Sequence, residues 1–371
     1  MIKNRWIWQH PNWPNFSYQL EQILPGLERL LRTVAPLELL ASQLDQDKQL
    51  NLESLVLLDE ALATAKIEGE MLDHESVRSS IAKRLGIGDV KYTSRSAEAF
   101  VDVLLESVRN YNKPLSNTLL HQWHNNIFYE KPILNTLLIG EYRNEIMQII
   151  SGPFGKQKVH FEAPCDNQLC VAAEMAHFLS WLNADDKNTS TYIKAAIAKF
   201  WFVTIHPFDD GNGRLSRIIA ERCLANAEGN GIRLYSISNE IEKHKTEYYD
   251  LLEKYQRGTS LDLTEWIIWF LQKITAAAKA SMGRLDKIRL TTIFWDKIRD
   301  TSFNTRQTKL ISRLLETDDF EQGISRSKYK RLAHTTDITA ARDLKDLVDK
   351  KVLLPTGEGR SRKYIMKALP L

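Results

Sequence analysis

The chain has 371 residues, 43% of them hydrophobic, with 50 lysines and arginines against 47 acidic side chains, a formal charge of +3. That length and apolar content suffice for two or three domains with real cores, and so small a net charge singles out no class of partner. No charged leader with an apolar run behind it opens the chain, and no stretch approaches the roughly 18 uncharged apolar residues of a membrane span, so a soluble chain without signal peptide or membrane partner is expected. The three cysteines, Cys165, Cys170 and Cys223, have no metal-ligand spacing and leave an odd thiol, which favours a reducing cytoplasm and buried or inert thiols.

In chain order, Trp6, Trp8, Pro11, Trp13, Pro14 and Phe16 form an aromatic opening too rich in proline for a helix. Helical spacing follows over Tyr18 to Val34, Pro36 to Gln46, Leu52 to Glu68 and His74 to Leu85, and Gly69 is a natural residue to end the third of these. His121 and His124 share a helical face, but no third metal ligand lies near them in sequence. Met147 to Ile150 and Lys156 to Phe161 read as short extended pieces around the turn Ser151-Gly152-Pro153-Phe154-Gly155, a hairpin. Tyr192 to Ile205 is apolar and made of good helix formers, a buried helix that Pro207 should end.

The run that follows carries the chemistry: His206-Pro207-Phe208-Asp209-Asp210-Gly211-Asn212-Gly213-Arg214-Leu215-Ser216-Arg217. His206 falls on a loop at a helix C-terminus, where an imidazole can accept a proton near neutral pH. Gly211-Asn212-Gly213 can turn successive N–H groups towards one centre, and the helix that begins there, to about Glu228, adds its dipole; together they suit a phosphate. Arg214 and Arg217, three residues apart, converge on one polyphosphate, and Asp210 offers a hard oxygen to magnesium. A His-Pro loop, a glycine turn or two helical arginines taken alone are ordinarily structural; together they point to a nucleotide-triphosphate site.

These residues resemble the signature of the Fic family, His-x-Phe-x-Asp/Glu-Gly-Asn-Gly-Arg-x-x-Arg, filled here by His206, Phe208, Asp210, Gly211, Asn212, Gly213, Arg214 and Arg217. Gly140-Glu141-Tyr142-Arg143 and Val159-His160-Phe161-Glu162-Ala163-Pro164 are similar to the family's preceding segment, and the resemblance runs from about Asn117 to Leu271. It implies transfer of AMP from ATP to a Ser, Thr or Tyr hydroxyl of a protein, with magnesium and loss of pyrophosphate. His206 is then the catalytic base. The backbone and side chains of Gly211, Asn212, Gly213, Arg214, Leu215, Ser216 and Arg217 hold the phosphates, Asp210 binds the metal, and Tyr248 and Tyr249 line the adenine pocket with Glu247 and Gln256. The hairpin corresponds to a flap that aligns a target segment by main-chain pairing. Retention of Gly213 favours AMP transfer over the family's other transfers.

Thr64-Ala65-Lys66-Ile67-Glu68-Gly69 is similar to the family's inhibitory pattern, Ser/Thr-x-x-x-Glu-Gly/Asn. On that resemblance Glu68 pairs with Arg217, takes the arginine that the γ-phosphate needs, and shuts the enzyme off. The same carboxylate could position water for the reverse reaction, de-AMPylation.

From Arg306 onward 15 lysines and arginines face 9 acidic residues, so the charge collects at this end. Helices at Thr305 to Glu316, Arg326 to Ala333 and Ile338 to Lys350, then Val352-Leu353-Leu354, a turn and Arg362-Lys363-Tyr364-Ile365, resemble a winged helix-turn-helix. Thr335, Thr336 and Thr339 would open its recognition helix, with Arg360, Arg362 and Lys363 in the wing. The expected architecture is mainly α: an N-terminal helical domain (1–90), an all-helical Fic core with one small β-hairpin (91–284) and the winged helix (285–371). The expected cofactors are ATP and Mg2+, and the expected partner is a hydroxyl-bearing protein, with self-modification, DNA on the last module and a homodimer left open. The competing class is a DNA-binding regulator that uses the core as a nucleotide sensor. Sensing needs the nest and the arginines but no base, so His206 speaks against it.

Overall fold

The computed structural model describes residues 5–88, 92–129, 137–153, 157–186, 188–316 and 323–366. Phe154, Gly155 and Lys156 of the expected hairpin lie outside these residues, as does the side chain of Arg360 in the expected wing. Among the described residues the chain is mainly helical, with 14 α-helices and two small antiparallel sheets. It divides into two compact units, one ending at Ser281 and the other starting at Met282.

The aromatic opening packs against later parts of the chain. Trp6 meets Phe161 edge-on at 5.6 Å, and Trp13 and Phe16 both meet Trp201, around a short 3-10 turn at Ile7–Gln9. Where two helices were expected, one runs unbroken: α1 (Leu20–Ser42) carries Pro25 and Pro36 inside it. An interior proline costs a helix about 3 kcal/mol, but Ile23, Leu30, Val34, Leu37 and Ala41 are all buried on this one, and tertiary packing outweighs the local penalty.

Helix α2 (Gln46–Ile67) starts where the Asp45 side chain accepts the Lys48 N–H, and α3 (His74–Leu85) starts on the Asp73 side chain. The end of α2 is a Schellman turn: Glu68 is the C-cap, Gly69 takes φ +82°, and the N–H groups of Gly69 and Glu70 return to the Lys66 and Ala65 carbonyls. Helices α4 (Arg95–Arg109) and α5 (Asn117–Ile127) follow. Strands β1 (Gln148–Ser151) and β2 (Lys158–Glu162) form the expected hairpin, with Ser151 opposite Lys158.

After α6 (Gln168–Asn183) come α7 (Thr191–Ile205) and α8 (Asn212–Glu228), packed against each other at the centre of the first unit. From Tyr192 to Ile205 only Lys194 is not buried, so α7 is a fixed post and the loop it delivers is positioned by core packing. The short α9 (Ile237–Lys243), then α10 (Lys245–Gln256) and α11 (Thr264–Lys297) complete the helices that begin in this unit.

In the second unit α12 (Thr305–Glu316), β3 (Ile324–Ser325), α13 (Arg326–Leu332), α14 (Asp337–Asp349), β4 (Leu353–Thr356) and β5 (Lys363–Met366) enclose a core of Leu310, Ile311, Tyr329, Leu344 and Leu353. Its sheet has the order β3-β5-β4, antiparallel throughout. No helix among the described residues is long and apolar enough to cross a membrane.

Candidate active site

The loop between α7 and α8 is built by its own side chains. His206 caps α7 in the left-handed region at φ +52°, an uncommon conformation for a residue with a Cβ and one that strained functional loops adopt. Its Nδ1 lies 3.0 Å from the Val203 carbonyl, which can only accept, so Nδ1 carries the proton and Nε2 is left with its lone pair. Burial lowers the imidazole pKa, and the Arg143 charge adds to that against the pull of the Val203 bond, Glu68 and Asp210. A neutral base at neutral pH results.

Asn212 closes the loop with both ends of its amide: Oδ1 accepts the Phe208 N–H at 2.9 Å and Nδ2 donates to the Phe208 carbonyl at 2.7 Å. Gly211 turns the chain into α8 at φ +77°, and a Cβ there would lie 2.8 Å from the Phe128 ring. No other residue fits without a shift.

Two side chains far away in sequence lock this loop. Arg143 is 1% exposed and spends its guanidinium on main-chain carbonyls alone: Nε on His206 at 2.8 Å, Nη1 on Glu145 and Cys165, Nη2 on Pro164 and Ile205. Its own N–H donates to the Pro207 carbonyl. The Gly140 N–H donates to His124 Nδ1 at 2.9 Å, so Nε2 holds the proton and donates to the Asp210 carbonyl at 3.1 Å. The ring stacks on Phe208 at 4.1 Å, and burial takes its pKa down to about 4. His124, for which the sequence offered no third metal ligand, is a neutral strut.

The segment that Arg143 grips also corrects the cysteine reading. Cys165 and Cys170 are joined as a disulfide, while Cys223 is buried, its thiol pushed up to about 12 by burial. Cys165 sits at φ +74° just before Asn167, whose side chain caps α6 by accepting the Cys170 N–H, and this reversal of the chain brings the two sulfurs together. Counting thiols for a framework could not show so local a bridge.

Across the N-terminus of α8 lies the end of α2. Glu68 Oε1 accepts Arg217 Nη2 at 2.6 Å, with Arg217 1% and Glu68 29% exposed as side chains. The carboxylate also crowds Gly213, where an added Cβ would sit 2.1 Å from Oε1. Burial works to raise the Glu68 carboxyl, but the charge and hydrogen bond of Arg217, with Arg214 and Lys199 behind, hold it below the ordinary carboxylate range. Thr64 is engaged too: Oγ1 accepts Arg217 Nε at 2.7 Å and its carbonyl accepts Nη2 at 3.1 Å. The chain of donors continues from Thr64 to Ser238 and from Ser238 to Glu60, whose carboxyl is pushed up to about 7 by burial and by Glu221. Glu60, Thr64 and Glu68, four residues apart, form one face of α2 that seats on α8 and α9.

Glu70 was not anticipated, and it takes Arg214 at 2.8 Å. Even so, Arg214 Nε and Arg217 Nη1 are buried with no hydrogen-bond partner among the described residues. Two unsatisfied guanidinium donors at a helix N-terminus fit an anionic ligand.

The remaining site residues divide. Asp210 is exposed and bonds the Gly211 N–H through Oδ1 at 2.6 Å. Leu215 is core, and Ser216 donates to the Gly213 carbonyl, so only their backbones face the task given to them. Tyr248 is buried, accepts Lys199 Nζ at 2.7 Å and stacks on Trp269; Tyr249 is 39% exposed; both feel the charges of Glu68 and Arg217. Lys199, wholly buried, is held well below its ordinary pKa by burial and Arg217. Nothing in its sequence position marks it.

Residues 114–224 match the model of the Fic/DOC family, and residues 6–87 match a model described as a domain of unknown function (DUF4172). Over 85 residues the chain is 36% identical to a protein adenylyltransferase Fic of Aedes aegypti, a stretch covering 23% of this chain and 16% of that protein. The chain thus spans about a sixth of that relative's length. The crystal structure of a Fic family protein from Desulfovibrio desulfuricans G20 shares the fold with a TM-score of 0.56 at 18% identity, over 96% of this chain and 99% of that one. A Fic domain containing signaling protein from Bacteroides thetaiotaomicron VPI-5482 does so at 0.51 and 17% identity, over 69% and 97%.

Proposed function

We propose that the chain transfers AMP from ATP to a Ser, Thr or Tyr hydroxyl of a protein, and that Glu68 restrains it. The observation that carries this reading is the Glu68 carboxylate at the N-terminus of α8, against Gly213 and on Arg217. An anion is already bound where the helix dipole and the arginines would hold phosphates, and it stands in for one. The Fic/DOC match over residues 114–224 and the adenylyltransferase relatives support the same chemistry.

In the reaction the acceptor hydroxyl attacks the α-phosphorus, its proton passes to His206 Nε2, and the bond to the β-phosphate breaks to release pyrophosphate. The Gly211 to Gly213 turn stabilises charge on the phosphates, and Arg214 and Arg217 hold the β and γ groups once the carboxylates let go. Among the described residues no three His, Cys, Asp or Glu side chains gather as a metal cage. Asp210 alone suits magnesium, which is ordinarily held by one or two carboxylates with phosphates and water. Magnesium bound there would neutralise phosphate charge. Tyr248 and Tyr249 would border the base, and Glu68, displaced from Arg217, could orient water for de-AMPylation. Label should move to protein from ATP labelled at the α-phosphate and not from ATP labelled at the γ-phosphate; γ-label on protein would make this a kinase and end the AMP reading.

The second reading, a winged helix on DNA, is favoured by the helix pair α13 and α14, the β4–β5 hairpin and the basic charge of this end. Against it, Thr336 caps α14 by accepting the Thr339 N–H, and Arg306 and Lys350 are paired with Asp343 and Asp346. The full chain's affinity for duplex DNA at about 50 and 200 mM salt decides it, since phosphate contacts lose orders of magnitude over that range. No binding at the lower salt removes the regulator.

A further inference from the structure

A single side chain connects the disulfide to the loop that carries His206. Cys165 and Cys170 are bonded across five residues, with Cys170 on the first turn of α6 and Cys165 on the bend before it. Residues 166 to 170 are all exposed, Leu169 at 85%, so the bond lies at the surface within reach of another molecule. Cys223, by contrast, is buried, and a thiol pushed up to about 12 does not react near neutral pH.

The loop that this bond closes is fastened at both ends to the segment before β1. The Cys165 carbonyl accepts Arg143 Nη1 at 2.8 Å, and the Pro164 carbonyl accepts Nη2. Past the bend, the Gln168 N–H donates to Asn144 Oδ1 at 3.2 Å and Gln168 Nε2 to the Tyr142 carbonyl at 3.1 Å. Arg143 also donates through Nε to the His206 carbonyl at 2.8 Å and through its own N–H to the Pro207 carbonyl at 2.9 Å. Cys165 is left-handed at φ +74°, a region that its Cβ disfavours. The covalent bond to Cys170 and the grip of Arg143 on its carbonyl both oppose relaxation from that conformation. Once the bond is cut, hydrogen bonds alone must hold the carbonyl in place.

We propose that Cys165 and Cys170 form a redox modification site that exchanges with a dithiol, and that opening it loosens the His206 loop. A thiolate of the dithiol attacks Cys170 Sγ, and the S–S bond breaks with its electron pair on Cys165 Sγ, which takes up a proton. The second thiol of the dithiol then displaces Cys170 from the mixed disulfide. Cys170 leaves as a thiolate on the first turn of a 16-residue helix, where the dipole favours negative charge. The two cysteines gain two electrons and the dithiol becomes its own disulfide; an oxidised dithiol runs the exchange backwards. In the open form Cys165 leaves the left-handed region, its carbonyl turns from Arg143, and the guanidinium that fixes His206 is itself less fixed. The oxidised chain is the faster form. Its effect on activity rests on the transfer reading above, whereas the exchange and the loosened loop do not.

The test uses the full chain carrying Glu68→Gly, either oxidised or treated with dithiothreitol. Non-reducing peptide mass spectrometry should find Cys165 and Cys170 linked in the first form and both alkylated in the second, with Cys223 unlabelled in either. Hydrogen exchange at the Arg143 and Phe208 amides should quicken on reduction. AMP transfer should fall by about 10- to 100-fold, the scale of a displaced catalytic group, and recover on reoxidation. Cys165→Ser/Cys170→Ser should behave as the reduced chain under either treatment, and Cys223→Ser should keep the full response. Free thiols at both positions in the oxidised chain, amide exchange unchanged by reduction, or equal transfer by the two forms overturns the proposal and leaves the transfer reading standing. Amide exchange that quickens on reduction while neither form transfers AMP supports the redox site and overturns the transfer reading.

Discussion

Glu70 holds Arg214 at 2.8 Å two residues after Glu68 takes Arg217 at 2.6 Å. The left-handed turn at Gly69 aims both carboxylates at α8, so one helix end engages both of these arginines. The two grips differ in strength. Glu70 is 43% exposed and burial raises its carboxyl despite Arg214, whereas Glu68 faces a buried arginine and is held low. Glu68→Gly should therefore raise AMP transfer roughly 10- to 100-fold, the weight of a charge-assisted hydrogen bond, and Glu70→Gln by no more than about fivefold. Initial rates with labelled ATP rank the two; a larger gain from Glu70→Gln would move the restraint to Arg214.

Gly213→Ala separates the restraint from the site it covers. The new methyl would collide with Glu68 Oε1 in the parent, and the three atoms nearest that position all belong to Glu68. The substitution should lower the melting temperature of the parent and leave that of Glu68→Gly unchanged, a coupling that a double-mutant cycle reads directly. In the Glu68→Gly chain it should still weaken ATP binding, because the phosphates replace the carboxylate there. ATP bound equally well by Gly213 and Ala forms in calorimetry would show that nucleotide and Glu68 do not share the place.

Arg143→Lys keeps the charge and loses the fork. One ammonium cannot reach five carbonyls, and each charged hydrogen bond contributes about 1.5 to 3 kcal/mol. A loss of about 3 kcal/mol or more in denaturant unfolding is expected, with AMP transfer falling further than the unfolded fraction explains because His206 is no longer fixed. A stability within about 0.5 kcal/mol of the parent, the range of ordinary surface changes, would mean that the clamp is dispensable.

His124 gives the site a pH dependence of known sign. Its folded pKa, about 4, lies below the roughly 6.5 of an unfolded histidine, so the native state binds fewer protons between these values. Its contribution is full above about pH 6.5 and is lost as pH falls towards 4, up to roughly 3 kcal/mol. Protonation would turn Nδ1 into a donor facing the Gly140 N–H. The difference in unfolding free energy between parent and His124→Gln should shrink across that window and stay constant above it; a flat difference from pH 4 to 7 would contradict the neutral strut.

The sequence made α7, the loop and α8 legible because their signals are local: an apolar run, a proline stop, glycines at a turn. The pairing of Glu68 with Arg217 was expected only from the resemblance of Thr64 to Gly69 to the family's inhibitory pattern, since those residues by themselves read as a helix that ends on glycine. What stayed hidden is long-range. Arg143 bonds only to carbonyls, which every residue has, and His124 reads the same whether it holds a metal or a backbone. Glu70 follows Glu68 by two residues, but the direction of its side chain depends on the turn at Gly69. In α1 the local rule misled, because buried Leu30, Val34 and Leu37 carry the helix through Pro36. The disulfide went unseen for the opposite reason, being too short a loop to look like a framework.

AMP transferred from α-labelled ATP to protein by the parent, Glu68→Gly and Glu68→Gly/His206→Ala chains tests the central claim most directly. The account predicts little label with the parent, strong label with Glu68→Gly and none once His206 is removed. Equal label from the parent and Glu68→Gly, or label that survives His206→Ala, would contradict it.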